Sequence, residues 1–349
     1  MEHDDCKNNI VHRLSGLRID MDEEELTAQE TALYDRQIRV WGVDAQKRLS
    51  RAHVLISGLS GATAELCKNI VLAGVGSLTL VDPRPVTEDA CNANFLILPE
   101  NINGGRSLAD VCCESLKDFN PMVRVSAEKG DLMQSDGEFF NKFDVVVISC
   151  CSSKAKLILP QKLINEKCRK RSRRMAFYTV ECRDSCGEIF VDLQNYTYMQ
   201  KSSDDTAECQ LDFPSLEEAI SIPWMDLPRK VSKLFFAMRV LDMFESSKER
   251  NPGETSISDL PEILKLREEM CNAQSVKDYD SLVPQSLLER LLAAGTKEHP
   301  PVCAILGGIL GQEVIKAISG KGGPLKNFFY FDAADGKGVI EDISKPHAG

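Results

Sequence analysis

In the stretch VLISGLSGATAELCKNIVLAGVGSLTLVDP, residues 54–83, Gly58 and Gly61 separate an apolar run from a helical one. Glycines in that place let backbone N–H groups face a phosphate, and the helix N-terminus adds a favourable field. Asp82 ends the next apolar run, where a carboxylate can hold a ribose hydroxyl. The pattern is incomplete. Ser60 breaks the glycine spacing, and Thr63 puts a β-branched side chain where a third glycine would let helix and sheet approach. Two readings stand: a working nucleotide loop, or a turn that has kept its shape and lost its ligand. On these residues the second is favoured.

Other chemically able residues lack the spacing that chemistry needs. There are 13 cysteines, many inside apolar patterns, with no CxxC pair. Cys182 and Cys186 are four apart with no second pair nearby. Buried free thiols of a reducing compartment are therefore expected, and no metal site. The five histidines show no metal spacing, and His53, at the start of an apolar strand, reads as structural. KCRKRSRR, residues 167–174, holds six basic residues and allows two readings, a localisation or nucleic-acid patch or a solvated helix end. Net charge is −11, which argues against a nucleic-acid partner. The opening residues are too polar for a signal peptide, and no membrane association is expected.

Elements that would position the loop can be read from periodicity. Residues 1–26 are expected to be a flexible N-terminus. Thr27 and Glu30 suit a capping box, and residues 44–49 a short helix. Apolar β-branched runs at 53–59, 76–82, 122–127, 143–151, 175–181 and 187–193 alternate with helical patterns at 61–72, 106–119 and 155–168. This predicts an α/β fold, doubly wound around a mostly parallel Rossmann-like sheet. MQKSSDDTAECQ, residues 199–210, reads as a loop or disordered break. Helical patterns follow within 227–250, 256–275 and 284–295. PPVCAILGGILGQEVIKAIS, residues 300–319, is a helix whose Gly307, Gly308 and Gly311 suit close approach of another backbone. Two strands in NFFYFDAADGKGVIED end the fold. The expected divisions are a Rossmann-like domain at 27–200, a mainly helical insert at 201–298, a completing helix and strands at 299–342, and a tail at 343–349.

YDRQIRVWG, Tyr34 to Gly42, is the most specific stretch. On the residues alone, Arg36 is more readily a partner of Asp35, Glu30 or another surface carboxylate than a ligand group. The stretch resembles the N-terminal signature of the E1 activating enzymes for ubiquitin-like proteins and their bacterial adenylating relatives. The glycine turn at 57–61, KNIVLAGVGSLTLVD, PVCAILGGILGQEVIKAIS and NFFYFD match in order, so the resemblance covers roughly residues 30–342. The ISCC strand end and the PVC helix resemble most the small-subunit branch of the SUMO-activating enzymes.

That resemblance implies an adenylation domain of the E1 type with a degenerate site. Family members that bind ATP carry an arginine in an NRQF element, where this chain has Asn92, Ala93, Asn94 and Phe95. Leu108 stands at the family's phosphate lysine, and Cys151 near its Mg²⁺-binding aspartate. ATP needs cations to offset its charge, so Gly58, Gly61, Asp82, Ala93, Leu108 and Cys151 are expected to bind no nucleotide of their own. The resemblance implies instead that Arg36 reaches as an arginine finger into the ATP site of a large subunit. Arg39 would hold the segment or form an interface ion pair, while Tyr34 and Trp41 anchor it by burial. The large subunit, an obligate heterodimer partner, would bind ATP and Mg²⁺ and carry the catalytic cysteine. The reaction implied is adenylation of the SUMO C-terminus, thioester formation and transfer to an E2. Neither Cys209 nor Cys271 resembles the family's catalytic cysteine. A self-sufficient homodimeric adenylating enzyme and a small subunit of the NEDD8 pathway are the alternatives, and a non-catalytic adaptor a further one. The resemblance implies a nuclear location, with the cytoplasm as second compartment.

Overall fold

The computed structural model describes residues 25–344 apart from 103, 131, 133, 150–157, 202–205, 229, 251–253 and 296. Most of both expected flexible ends, and Cys151, lie outside the described residues. Three short helices open the fold: α1 (Ala28–Leu33), α2 (Asp35–Trp41) and α3 (Val43–Arg51). The expected capping box forms at α1, where Glu30 N–H donates to Thr27 Oγ1 at 3.1 Å and Thr27 N–H to the Glu30 carboxylate at 2.8 Å. Strand β1 (His53–Ser57), helix α4 (Gly61–Leu72) and strand β2 (Ser77–Val81) follow. Then come α5 (Glu88–Ala93), α6 (Leu108–Lys117), β3 (Arg124–Ala127), α7 (Gly137–Phe140), β4 (Val145–Ile148), α8 (Ile158–Arg169), β5 (Ala176–Arg183) and β6 (Cys186–Asp192).

The second half holds β7 (Asn195–Lys201), β8 (Thr206–Asp212), α9 (Leu216–Ile220), α10 (Lys233–Lys248), α11 (Leu260–Ala273), α12 (Tyr279–Leu282) and α13 (Gln285–Ala294). Helix α14 (Pro300–Ser319) and strands β9 (Phe328–Asp332) and β10 (Lys337–Glu341) complete it. Eight strands form one sheet in the order β10-β9-β6-β5-β4-β1-β2-β3. The stretch from β3 to β5 is parallel. Strands β6, β9 and β10 add an antiparallel edge. This is the mostly parallel, helix-covered sheet that the alternating patterns predict.

Each strand of the centre feeds two cores, because side chains alternate faces. Val54 and Ile56 of β1 join Val145 and Val147 of β4 in one apolar cluster with α4, α6 and α14. Leu55, Val146 and Ile148 join the other, with α8, α10, α11 and α13. Helix α14 is long and apolar enough to cross a membrane by length and composition, yet 67% of that window is buried within the fold. Its glycines explain the fit. A Cβ on Gly307 would lie 2.5 Å from the Ala62 carbonyl oxygen of α4, and one on Gly311 3.1 Å from Asn69 Cβ.

One expectation is overturned. Residues 199–201 and 206–210 are strand rather than loop: they belong to β7 and β8, which pair antiparallel. Tyr196 and Tyr198 alternate onto one face, stacked 5.9 Å apart, and Cys209 and Leu211 pack with them on the same core. The polar residues between hide this period of two from a reading based on composition.

The basic run 167–174 is spent within the fold. Arg169 pairs with Asp192 at 2.8 Å, and Arg173 with Asp144. Lys167 donates to the Ser135 carbonyl, Arg171 to the Gly137 carbonyl, and Arg174 to the Asn195 carbonyl. Lys170 pairs with Glu166 one helical turn away. His53 is structural, its backbone N–H donating to Asp144 and its ring facing Ser77 Oγ.

Helix α10 is tied to the sheet by buried charge. Arg183 of β5 makes a two-pronged pair with Glu245 at 2.9 Å, and Arg239 pairs with Glu188 of β6 at 2.8 Å. Asp242 pairs with the same Arg239 at 2.9 Å. Burial pushes the Asp242 carboxyl up to about 7. Arg239 and Arg183 oppose that rise, and the nearby charges of Glu181 and Glu188 add to it. A carboxyl with a raised native pKa holds its proton more tightly when folded. Its contribution is complete below the unfolded value of about 4 and is lost as pH rises to about 7. Thermal unfolding of the isolated chain is therefore expected to show stability falling across that window. Asp242→Asn should flatten the slope, and an unchanged slope would place the proton elsewhere.

Candidate functional site

The turn after β1 has the geometry of a phosphate loop. Gly58 takes φ +84°, which an L side chain rarely adopts, and its N–H donates to the Val81 carbonyl at 3.0 Å. Ser60 caps α4, its Oγ accepting from Thr63 N–H at 3.2 Å. Thr63 stands where the third glycine is missing and is fully buried. Its hydroxyl donates to the Gly58 carbonyl at 2.9 Å, so the extra side chain locks the turn that glycine would leave free. Ser149, after β4, donates to Ser60 Oγ at 3.1 Å and completes a hydroxyl lining.

The groups that would meet a phosphate are already engaged. Gly61 N–H donates to Glu298 Oε2 at 2.9 Å. A carboxylate of the same chain thus sits at the positive end of α4, where an anion is favoured. A Cβ on Gly61 would lie 2.6 Å from the Ala93 carbonyl oxygen and 2.9 Å from Cys303 Sγ, so the start of α4 is closely covered. Burial raises the Glu298 carboxyl, against the pull of the Gly61 N–H and the Arg84 charge.

Asp82 is 1% exposed and likewise occupied. One oxygen accepts from Leu59 N–H at 2.7 Å, and Arg84 grips both, Nε to Oδ1 at 2.9 Å and Nη2 to Oδ2 at 2.6 Å. Its carboxylate therefore holds the turn and Arg84. Leu108, at the start of α6, is buried in the core. Asn94 is buried, its amide donating towards the Leu59 carbonyl at 3.4 Å, and Phe95 is exposed. The structure thus brings Gly58, Gly61, Asp82 and Ala93 together. Glu298 and Arg84 were not legible as members of the site. Arg84, two residues beyond Asp82, offered a local hint, whereas Glu298 arrives from far along the chain with none.

Arg36 lies on helix α2, away from this pocket. It is exposed, and among the described residues it has no hydrogen-bond or ion-pair partner. Its two sequence-level suitors are taken: Asp35 pairs with Arg39 at 2.8 Å, and Glu30 belongs to the α1 cap. The segment beneath is firmly held. Tyr34 is 2% exposed and its hydroxyl accepts from Asn120 at 2.9 Å. Gln37 donates to the Leu72 carbonyl at 3.0 Å, and Trp41 to Gln46 at 3.0 Å. Lys321 donates to the Trp41 carbonyl. Val40, on the same short helix, is 81% exposed.

Cys112, Cys186 and Cys271 behave as packing groups. None of the described cysteines forms a disulfide. Burial pushes the Cys112 thiol up to about 12 and Cys186 up to about 11. Cys271 is fully buried with its thiol also raised, a poor nucleophile.

A mostly parallel α/β sheet with a glycine turn at the β1–α4 junction is a nucleotide-binding type of fold, here with its turn filled by the chain's own groups. The chain belongs to the ThiF family, whose model matches residues 34–348. It is 63% identical over 325 residues to SUMO-activating enzyme subunit 1B-1 of Arabidopsis thaliana, covering 93% of this chain and 99% of that one. Subunit 1A of the same plant is 61% identical, covering 93% and 98%. SUMO-activating enzyme subunit 1 of Homo sapiens is 32% identical over 347 residues, covering 90% of this chain and 96% of the relative. A crystal structure of selenomethionine PaaA shares the fold, with TM-score 0.56 at 15% identity over 99% of this chain and 84% of that one. The likeness to small subunits of SUMO-activating enzymes, read from the ISCC strand end and the PVC helix after Tyr34–Gly42 had pointed to the E1 family, is borne out along nearly the whole chain.

Proposed function

We propose that this chain is the small subunit of a heterodimeric SUMO-activating enzyme. It has no working nucleotide site and lends Arg36 to the ATP site of a large subunit. The observation that carries this reading is the Glu298 carboxylate on Gly61 N–H at 2.9 Å. A triphosphate brought to α4 would meet that carboxylate and the Ala93 carbonyl. Arg84, whose charge reaches Glu298, is committed to Asp82. ATP therefore does not fit here, because its charge needs cations where this loop presents oxygens.

Arg36 has the opposite character. A guanidinium on an anchored helix, free of partners among the described residues, is pre-organised for a polyphosphate on another molecule. Val40 beside it leaves an apolar side chain for a partner to cover. ATP and Mg²⁺ would be held mainly by the large subunit, which would also carry the cysteine for thioester formation. SUMO and an E2 would reach this chain through that complex. A nuclear location, shared with the cytoplasm, follows from the same reading.

Pyrophosphate exchange into ATP, dependent on SUMO, tests it. The chain alone should give only background, and mixing with the large subunit of a SUMO-activating enzyme should restore exchange. Robust exchange by the isolated chain would overturn the reading in favour of a self-sufficient adenylating enzyme.

A further inference from the structure

We infer that Cys182, Glu298 and Cys303 form a zinc site that staples helix α14 to the sheet. The inference does not need the E1 reading but shares Glu298 with it, Oε2 staying on Gly61 N–H and Oε1 turning to the ion. Cys182 lies near the end of β5, Glu298 just before α14, and Cys303 in the first turn of α14. Both sulfurs and a carboxylate oxygen lie within 4.8 Å of one another. Glu298 turns Oε2 to Gly61 N–H at 2.9 Å and Oε1 to Cys303 Sγ at 3.8 Å, so one oxygen is braced and the other faces the sulfurs.

The donor set selects the ion. Two sulfurs disfavour magnesium and calcium, which take oxygen ligands, and suit zinc. With Zn–S about 2.3 Å and Zn–O about 2.1 Å, tetrahedral donors sit about 3.6–3.8 Å apart, so no pair within 4.8 Å need close by more than about 1.2 Å. Two thiolates and a carboxylate bring more negative charge than one ion cancels. The N-terminus of α14 next to Cys303 and that of α4 at Gly61 add favourable field to the excess. Cys182 and Glu298 are partly exposed, which gives the ion a route in and leaves a fourth position for water. Spacing could not reveal this site, because Cys182 is far in sequence from Glu298 and Cys303.

The test uses the full chain, reduced and stripped by chelator, then titrated with zinc alone against a chromophoric chelator. One zinc per chain is expected. Cys182→Ser and Cys303→Ser should each weaken it at least about a hundredfold, and Glu298→Gln about tenfold. Cobalt in place of zinc should show thiolate charge-transfer and tetrahedral d–d bands that both serine variants lose. Far-ultraviolet circular dichroism checks that each variant folds, and wild-type binding decides the matter if one does not. Three results would overturn the site: no tight zinc, zinc binding that the variants leave unchanged, or a Cys182–Cys303 disulfide in a protein that takes up no zinc after reduction.

Discussion

Arg36→Ala in the heterodimer is expected to lower SUMO-dependent pyrophosphate exchange roughly a hundredfold to a thousandfold, the scale of a lost charge-stabilising donor or arginine finger. Assembly should be unaffected. Arg36 is exposed and touches no described residue through a hydrogen bond or ion pair, so its removal should change folding stability by less than about 0.5 kcal/mol. Co-purification of the two subunits and an unchanged melting temperature would establish that. Arg36→Lys should recover only part of the rate, because lysine keeps the charge and loses the two-pronged fork. Arg39→Ala serves as a contrast, since that guanidinium is already paired with Asp35. Exchange that survives Arg36→Ala within about twofold would remove Arg36 from the reaction.

Gly307→Ala and Gly308→Ala are expected to move stability in opposite directions. Both glycines lie inside helix α14, where alanine is favoured by about 1 kcal/mol. At Gly308 nothing lies within 4 Å of the new Cβ, so most of that gain should appear. At Gly307 the Cβ would meet the Ala62 carbonyl oxygen at 2.5 Å and the Leu66 nitrogen at 2.9 Å. Both are backbone atoms of α4 and cannot swing aside, so the two helices must part. Overpacking of that kind costs up to about 3 kcal/mol, which exceeds the propensity gain and leaves a net loss near 2 kcal/mol. Denaturant unfolding of the isolated chain measures both. A stabilised Gly307→Ala protein would mean that the two helices do not meet as closely as described.

Much of this protein was legible in its residues. Alternating apolar periods marked β1, α4, β2, α6, β4, β5, β6 and α14, because burial on one face or two writes itself into spacing. The hairpin β7–β8 was not legible, since its period of two runs through threonines, acids and glutamines and is set by packing onto a core that includes α14. Missing cations at Ala93 and Leu108 pointed to a degenerate loop only through the resemblance to adenylating enzymes, which says where an arginine and a lysine would stand.

What occupies that loop was a tertiary decision. Glu298 reaches Gly61 only because α14 lies against α4, and the glycines that allow the approach do not say which side chain arrives with it. The same packing brings Cys303 beside Cys182, which no spacing rule connects. Arg36 shows the reverse. Its position in a short, specific segment was plain in the sequence, but its freedom depended on Asp35 turning to Arg39 and Glu30 to Thr27. Residue types and their periods determine which elements form and which charges a site lacks. Partner choice among charged side chains is decided by small distances between elements, and those exist only once the chain has packed.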